Sequence, residues 1–272
     1  LYSLQRIIVS LVVFFSFSAA FCDNPFLIKG GPGEAGMGSV CIMHSGFWSS
    51  FSNQALLALN DSWSAGFNYQ SRFNIQELGT TTAAAVFPAG NSSVGLIFSH
   101  FGYSEFRRSM TGAACGLQLT ESIAAGLQID YFFENFSADY DSYHSVTFEA
   151  GLFFRPSERV SAAIHVFNPV PASLRNTMMP STLRAGAGIQ LGSTIFAGAE
   201  AEMSTGEKLI LKSGLEYGVS ENLWLRGGFS SEFTSFSFGL GYMLRWLRID
   251  LSFVTHERLG ISSAASLVFK IK

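Results

Sequence analysis

Beyond Ala20 the chain has no apolar run long enough for a membrane helix, which takes about 20 residues. Charge is scarce as well: Asp, Glu, Lys and Arg make up 14% of the 272 residues, with a net charge of −3. No basic face emerges, so nucleic acid is not an expected partner. Cysteine is limited to Cys22, Cys41 and Cys115, with no C-x-x-C pair to suggest a metal or redox centre. A Cys41–Cys115 disulfide and two free thiols acting as small hydrophobes are both open. His44, His100, His144, His165 and His256 lack metal-ligand spacing and read mostly as loop or interfacial residues. No Gly-x-Ser-x-Gly elbow occurs. The glycine cluster from Gly30 to Gly38 is not followed by the Lys-Ser/Thr of a phosphate loop. The expectation is a non-enzyme with no cofactor and no metal.

What is present is hydrophobicity in short pieces: 48% hydrophobic residues, 27 Gly and 27 Phe. One long apolar run, Ile7 to Ala20, follows Arg6 and ends in Ser18-Ala19-Ala20. A basic start, an apolar core and a small-residue exit predict a secretory signal peptide over 1–22. Cleavage suits Ala20 or Cys22. Lipidation of Cys22 is a second reading, opposed by the bulky Phe21 before it.

From about residue 61 the chain alternates with period two, the mark of strands whose side chains point to opposite faces. Ile123, Ala125, Leu127, Ile129, Tyr131 and Phe133 oppose Ala124, Gly126, Gln128, Asp130, Phe132 and Glu134. Leu183, Ala185, Ala187, Ile189 and Leu191 oppose Arg184, Gly186, Gly188 and Gln190. Fourteen such segments are predicted: 61–70, 78–87, 93–102, 107–119, 122–135, 143–155, 159–167, 181–191, 194–203, 208–218, 222–230, 235–245, 247–255 and 261–271. Tight connections such as Leu119–Ser122 and Leu191–Thr194 alternate with longer ones such as Ser137–Ser142 and Asn168–Thr182. An even strand number, with short turns at one end and longer loops at the other, is the layout of outer-membrane barrels. A soluble sandwich would carry more charge on its solvent face. The predicted fold class is therefore all-β, a transmembrane antiparallel barrel over 61–272. It would lie in the outer membrane, in contact with its lipids.

The inferred inward face carries Asp130, Glu134, Glu149, Arg155, Arg184, Glu200, Glu202, Lys212, Glu216, Arg226, Arg245, Arg248 and Asp250. Unpaired charges are costly in a low dielectric, so these should pair across the lumen rather than line an open path. Residues 23–60 are too irregular to span a membrane and are expected to form a plug inside the barrel.

Gly33-Glu34-Ala35-Gly36-Met37-Gly38-Ser39-Val40 resembles the segment that opens mature PorV/PorQ-type outer-membrane proteins of Bacteroidota. Phe51-Ser52-Asn53-Gln54-Ala55-Leu56-Leu57-Ala58 is similar to that family's aromatic-x-Asn-Pro-Ala-Gly-Leu-Ala motif, with Gln54 and Leu56 departing from it. The resemblance implies a 14-stranded barrel similar to FadL, with Gly36, Met37, Gly38, Phe51, Asn53 and Ala55 in the plug. It also implies an accessory subunit of an envelope complex, as in type IX secretion. Other outer-membrane or periplasmic proteins would then be partners, met through the loop carrying Pro169, Pro171, Leu174, Met178 and Met179. The alternative is a FadL-like transporter of a hydrophobic small molecule, with Phe132, Phe153, Phe167 and Trp224 facing inward. A diffusion porin ranks third, because water-filled channels use about 16–18 strands.

Overall fold

The structure, a computed structural model, describes residues 24–136, 142–175 and 177–271; the expected signal peptide lies outside them. The strands are β1 (Trp63–Ser71), β2 (Gly79–Ala89), β3 (Ser92–Gly102), β4 (Phe106–Gln118), β5 (Ile123–Phe136), β6 (Tyr143–Ser157), β7 (Val160–Phe167) and β8 (Ser173–Leu174). They continue as β9 (Thr177–Met178), β10 (Thr182–Leu191), β11 (Ile195–Ser204), β12 (Ile210–Ser220), β13 (Leu223–Ser230), β14 (Ser235–Leu244), β15 (Leu247–His256) and β16 (Gly260–Ile271). All but β8 and β9 form one closed antiparallel barrel, sealed where β1 pairs with β16 from Trp63↔Ile271 to Ser71↔Ser263. The fold is thus an all-β barrel of 14 strands, and each predicted segment falls within two residues of an observed strand. Closure satisfies every ladder within the sheet, which a hydrocarbon environment demands because no water is there to bond a free edge.

Alternation sorts the two faces. Leu127, Ile129, Val146, Phe148, Leu152 and Ile164 are exposed on the outside, while Gln128, Asp130, Thr147, Glu149 and His165 are buried inside. The register stacks like on like: Ile129 opposes Phe148, and Asp130 opposes Thr147. A one-residue slip would turn the charged set into lipid, so the pattern pins the register. Cys41 lies buried in the lumen and Cys115 is exposed on the outer wall. Both thiols are free, which resolves the disulfide alternative.

The segment before β1 occupies the lumen. It contains the short helix α1 (Pro32–Ala35) and two 3-10 turns, Phe47–Phe51 and Gln54–Leu59. Asn53 caps the second turn by accepting from Ala55 N at 3.1 Å. Phe47, Trp48, Phe51 and Leu57 pack with wall residues Val86, Ile97, Met110, Phe132 and Phe167. These aromatic and aliphatic faces supply the burial that holds the segment in place.

Candidate ligand site and lumenal closure

Glycines on the inner wall let the lumenal backbone come close. Gly126 lies against Gln54 and Ala55 N, Gly116 against Gln54 O, and Gly151 against the Asn53 side chain. On the opposite side, Gly214 and Gly228 receive Met37, Gly228 also touches Gly38 N, and Gly239 lies against Gly36. A Cβ at Gly116, Gly126, Gly151, Gly214 or Gly228 would occupy space already taken by the lumenal segment, and one at Gly239 would press on Gly36 Cα at 3.1 Å. Gly38 itself has φ +69 and donates its N–H to Ser237 Oγ at 2.7 Å, so a left-handed residue is needed at the contact. This is where the structure places the motif residues: Gly36, Met37 and Gly38 on β12–β14, and Asn53 and Ala55 on β5 and β6. Phe51 is buried in the aromatic cluster.

Charges complete the seat. Lys212 sits between Glu200 (3.4 Å) and Glu202 (2.5 Å), with all three side chains buried. Glu200 Oε2 accepts from the N–H groups of Cys41 and Ile42. Arg184 donates to Ser52 O, and Glu149 accepts from Gln54 Nε2 at 2.7 Å and lies 2.8 Å from His165 Nε2. Arg226 bridges Glu216 and Asp250, and Arg248 reaches Asp250 at 2.8 Å. Every buried wall charge in these sets therefore meets a counter-charge or the lumenal backbone, as the cost of desolvation requires. Two residues depart from the inward list. Arg155 is exposed near the β6–β7 turn, and Arg245 is exposed in the β14–β15 turn at φ +50. Parity stops predicting direction where a strand enters its turn. His165 is a further correction: it is fully buried in the lumen, not interfacial.

On the lumenal segment, burial pushes Glu34 up to about 8, against the opposing pull of Arg184. Its remaining open surface faces two small cavities, of about 30 and 10 Å³. Burial likewise pushes the Cys41 thiol up, assisted by the carboxylate of Glu200.

The long-loop end is closed differently. The 168–181 connection folds across the mouth, with β8 and β9 as a hairpin. Asn168 organises it, accepting from Thr147 Oγ1 and Ala172 N and donating to Met179 O at 2.8 Å. Leu174 and Met179 are buried against Phe132 and Phe167, which removes them from any partner surface. Pro169, Pro171 and Met178 remain exposed. Phe153 packs in the second core cluster, and Trp224 lies under Arg248, whose guanidinium is 5.3 Å from its ring centre. Glu134 ties the mouth together: Arg108 reaches it with Nε at 2.6 Å, and Arg175 of the hairpin lies 3.0 Å away. Arg108 also donates to Pro25 O and covers the Phe26 ring, so the same carboxylate holds the first lumenal residues. Arg108 keeps the inward parity of Met110 and Ala114 on β4 and was within reach of the alternation rule, whereas Arg175 lies in the turn after β8, where period two says nothing.

Beside this arm, at the long-loop end, lies a cavity of about 140 Å³. Leu27, Ile28, Phe101, Met110, Phe233 and Val254 provide its apolar surface. Lys29, Arg72, Arg108, Glu232 and His256 also line it. Among the described residues no group of His, Cys, Asp and Glu is placed to hold a metal ion.

No family model and no curated protein matches this sequence. Solved structures do. The toluene transporter TbuX of Ralstonia pickettii is 13% identical, covering 90% of this chain and 98% of its own, at TM-score 0.68. The monoaromatic hydrocarbon channel CymD is 12% identical, covering 93% and 99%, at 0.69. A FadL homologue of Pseudomonas aeruginosa is 12% identical, covering 93% and 98%, at 0.63. The chain therefore has the barrel fold of FadL-type proteins. These likenesses show the fold and do not extend to the PorV/PorQ motifs.

Proposed function

We propose that this protein is an outer-membrane barrel that takes up a hydrophobic small molecule. The observation that carries the reading is the cavity of about 140 Å³ at the mouth, where Leu27, Ile28, Phe101, Met110, Phe233 and Val254 form an apolar face among polar and charged neighbours, on a fold shared with hydrocarbon transporters. Clefts lined by apolar side chains with a few polar groups are the usual form of small-molecule sites. Below the cavity the lumenal segment closes the barrel through glycine contacts and buried ion pairs, so passage requires that segment to shift. The chemistry is binding and passage, not catalysis.

The test is uptake of radiolabelled toluene into proteoliposomes carrying the barrel. Faster entry than into protein-free vesicles supports the reading; equal entry sinks it.

A second reading, an accessory barrel similar to PorV/PorQ of type IX secretion, draws on the exposed Pro169, Val170, Pro171 and Met178 of the mouth loop. Its mark would be a stoichiometric envelope protein that co-purifies in mild detergent and is lost when these four residues become serine.

A further inference from the structure

Asp130 on β5 is a fully buried wall carboxylate that no cationic side chain meets among the described residues. Its Oδ1 accepts from the Gln128 side-chain amide at 2.9 Å. Its Oδ2 has no hydrogen-bond partner. Glu149 of β6 stands within hydrogen-bonding reach of Asp130, acceptor against acceptor. Glu149 is itself served by neutral donors. Gln54 Nε2 and His165 Nε2 both reach its Oε2, at 2.7 and 2.8 Å. Arg184 donates to His165 Nδ1 at 3.0 Å, so that nitrogen is the acceptor and the imidazole is neutral, with its proton on Nε2. The cluster therefore holds two carboxylates against one guanidinium, which bonds to neither.

The carboxylates also fix how the two amides point. Gln128 and Gln54 must each turn the NH2 group to a carboxylate, which sets the place of the carbonyl oxygen. Both of those oxygens, Gln128 Oε1 and Gln54 Oε1, are buried and unpaired. With Asp130 Oδ2 they make three orphaned acceptors around one carboxylate pair, and the four residues are between 0% and 4% exposed. Buried acceptors without partners are costly, and buried charge calls for a counter-charge. A proton shared by Asp130 and Glu149 would serve Oδ2 and leave both amide oxygens unpaired. A cation serves all three and balances the charge.

Independently of the uptake reading, we propose that Asp130, Glu149, Gln128 and Gln54 hold a small hard cation, calcium or sodium, that clamps the lumenal segment to β5 and β6. Carboxylate and amide oxygens are the ligands such ions take. The set has only two acids, so it lies outside the groups of three or more His, Cys, Asp and Glu that are absent among the described residues. Gln54 is also one of the two departures from the PorV/PorQ-like motif, which has proline there; proline offers no side-chain ligand.

Folding of the urea-denatured full chain into detergent tests this, in calcium, sodium, magnesium or choline chloride at matched ionic strength. Folding in each salt loads the site before the lumen closes. The readout is the thermal unfolding midpoint, followed by heat-modifiable migration on a gel. Calcium or sodium should raise the midpoint by several degrees over choline, since a ligand bound only by the folded state stabilises it. Magnesium should not, because it sheds its waters reluctantly and demands near-octahedral geometry. Asp130→Asn should abolish the cation response and raise the midpoint in choline, where an uncompensated charge is replaced by an amide that can donate to Glu149. Gln54→Met should weaken the response through loss of one ligand. Equal midpoints in calcium, sodium and choline overturn the site. So does a magnesium shift as large as that of calcium, the mark of screening at the surface, or a response undiminished by Asp130→Asn. Should Asp130→Asn fail to fold, Gln54→Met decides, since it lies off the barrel wall: an undiminished response there overturns the site.

Discussion

Arg175, at the tip of the mouth hairpin, lies with Nε 3.0 Å from the buried carboxylate of Glu134 on β5. The pair joins a loop to the wall at the point where Arg108 already holds the wall to Pro25. Because Arg175 is partly exposed, its loss should cost the whole barrel about 1 kcal/mol or less. Locally it matters more. Arg175→Ala should raise hydrogen exchange across 168–181 several-fold while the unfolding midpoint stays within error. An unchanged exchange pattern would show that Leu174 and Met179 hold the loop without the ion pair.

Gly228 offers a direct test of the close backbone approach. A valine there would collide with Met37 and Gly38. The strand ladder β12–β13–β14 does not depend on that contact, so Gly228→Val should still fold as a barrel. Its lumenal segment should be displaced. Planar-bilayer recordings should then show ion conductance well above that of the unmodified protein; identical traces would count against the seating described here.

Lys212 neutralises two buried carboxylates. Lys212→Met strands both Glu200 and Glu202, and removing one member of a buried ionic set costs about 3–5 kcal/mol. Urea unfolding in detergent should show a loss of that order. The triple change Lys212→Met, Glu200→Gln, Glu202→Gln should recover much of it, since no uncompensated charge then remains.

The lumenal segment should respond to pH through Glu34. Its carboxyl is raised from 4.5 to about 8 in the folded protein, chiefly by burial. Between these values the folded state holds a proton that the released segment has lost. Seating is therefore favoured at low pH and weakens as pH rises from about 4.5 through about 8. Maleimide labelling of Cys41 reports release, since that thiol is buried when the segment is seated. Labelling should increase from pH 6 to pH 9 beyond the thiol's own ionisation, and Glu34→Gln should remove the excess.

What the chain by itself determined is the wall. Period-two alternation in segments such as 123–134 and 183–191 needs only that side chains alternate and that one face meets lipid. Strand number, register and most inward charges follow from those two facts. Arg155 and Arg245 mark the limit, since the rule lapses in turns. Tertiary structure alone decided the rest. Nothing local in the sequence says that Gly228 meets Met37, that Asn53 lies on Gly151, or that Arg175 finds Glu134. Those are contacts between distant segments, chosen by the shape of the closed barrel. The mouth site is of the same kind: His256 looks like any strand-end histidine until the barrel closes. Closure brings Phe73, Phe233 and Ser262 around it.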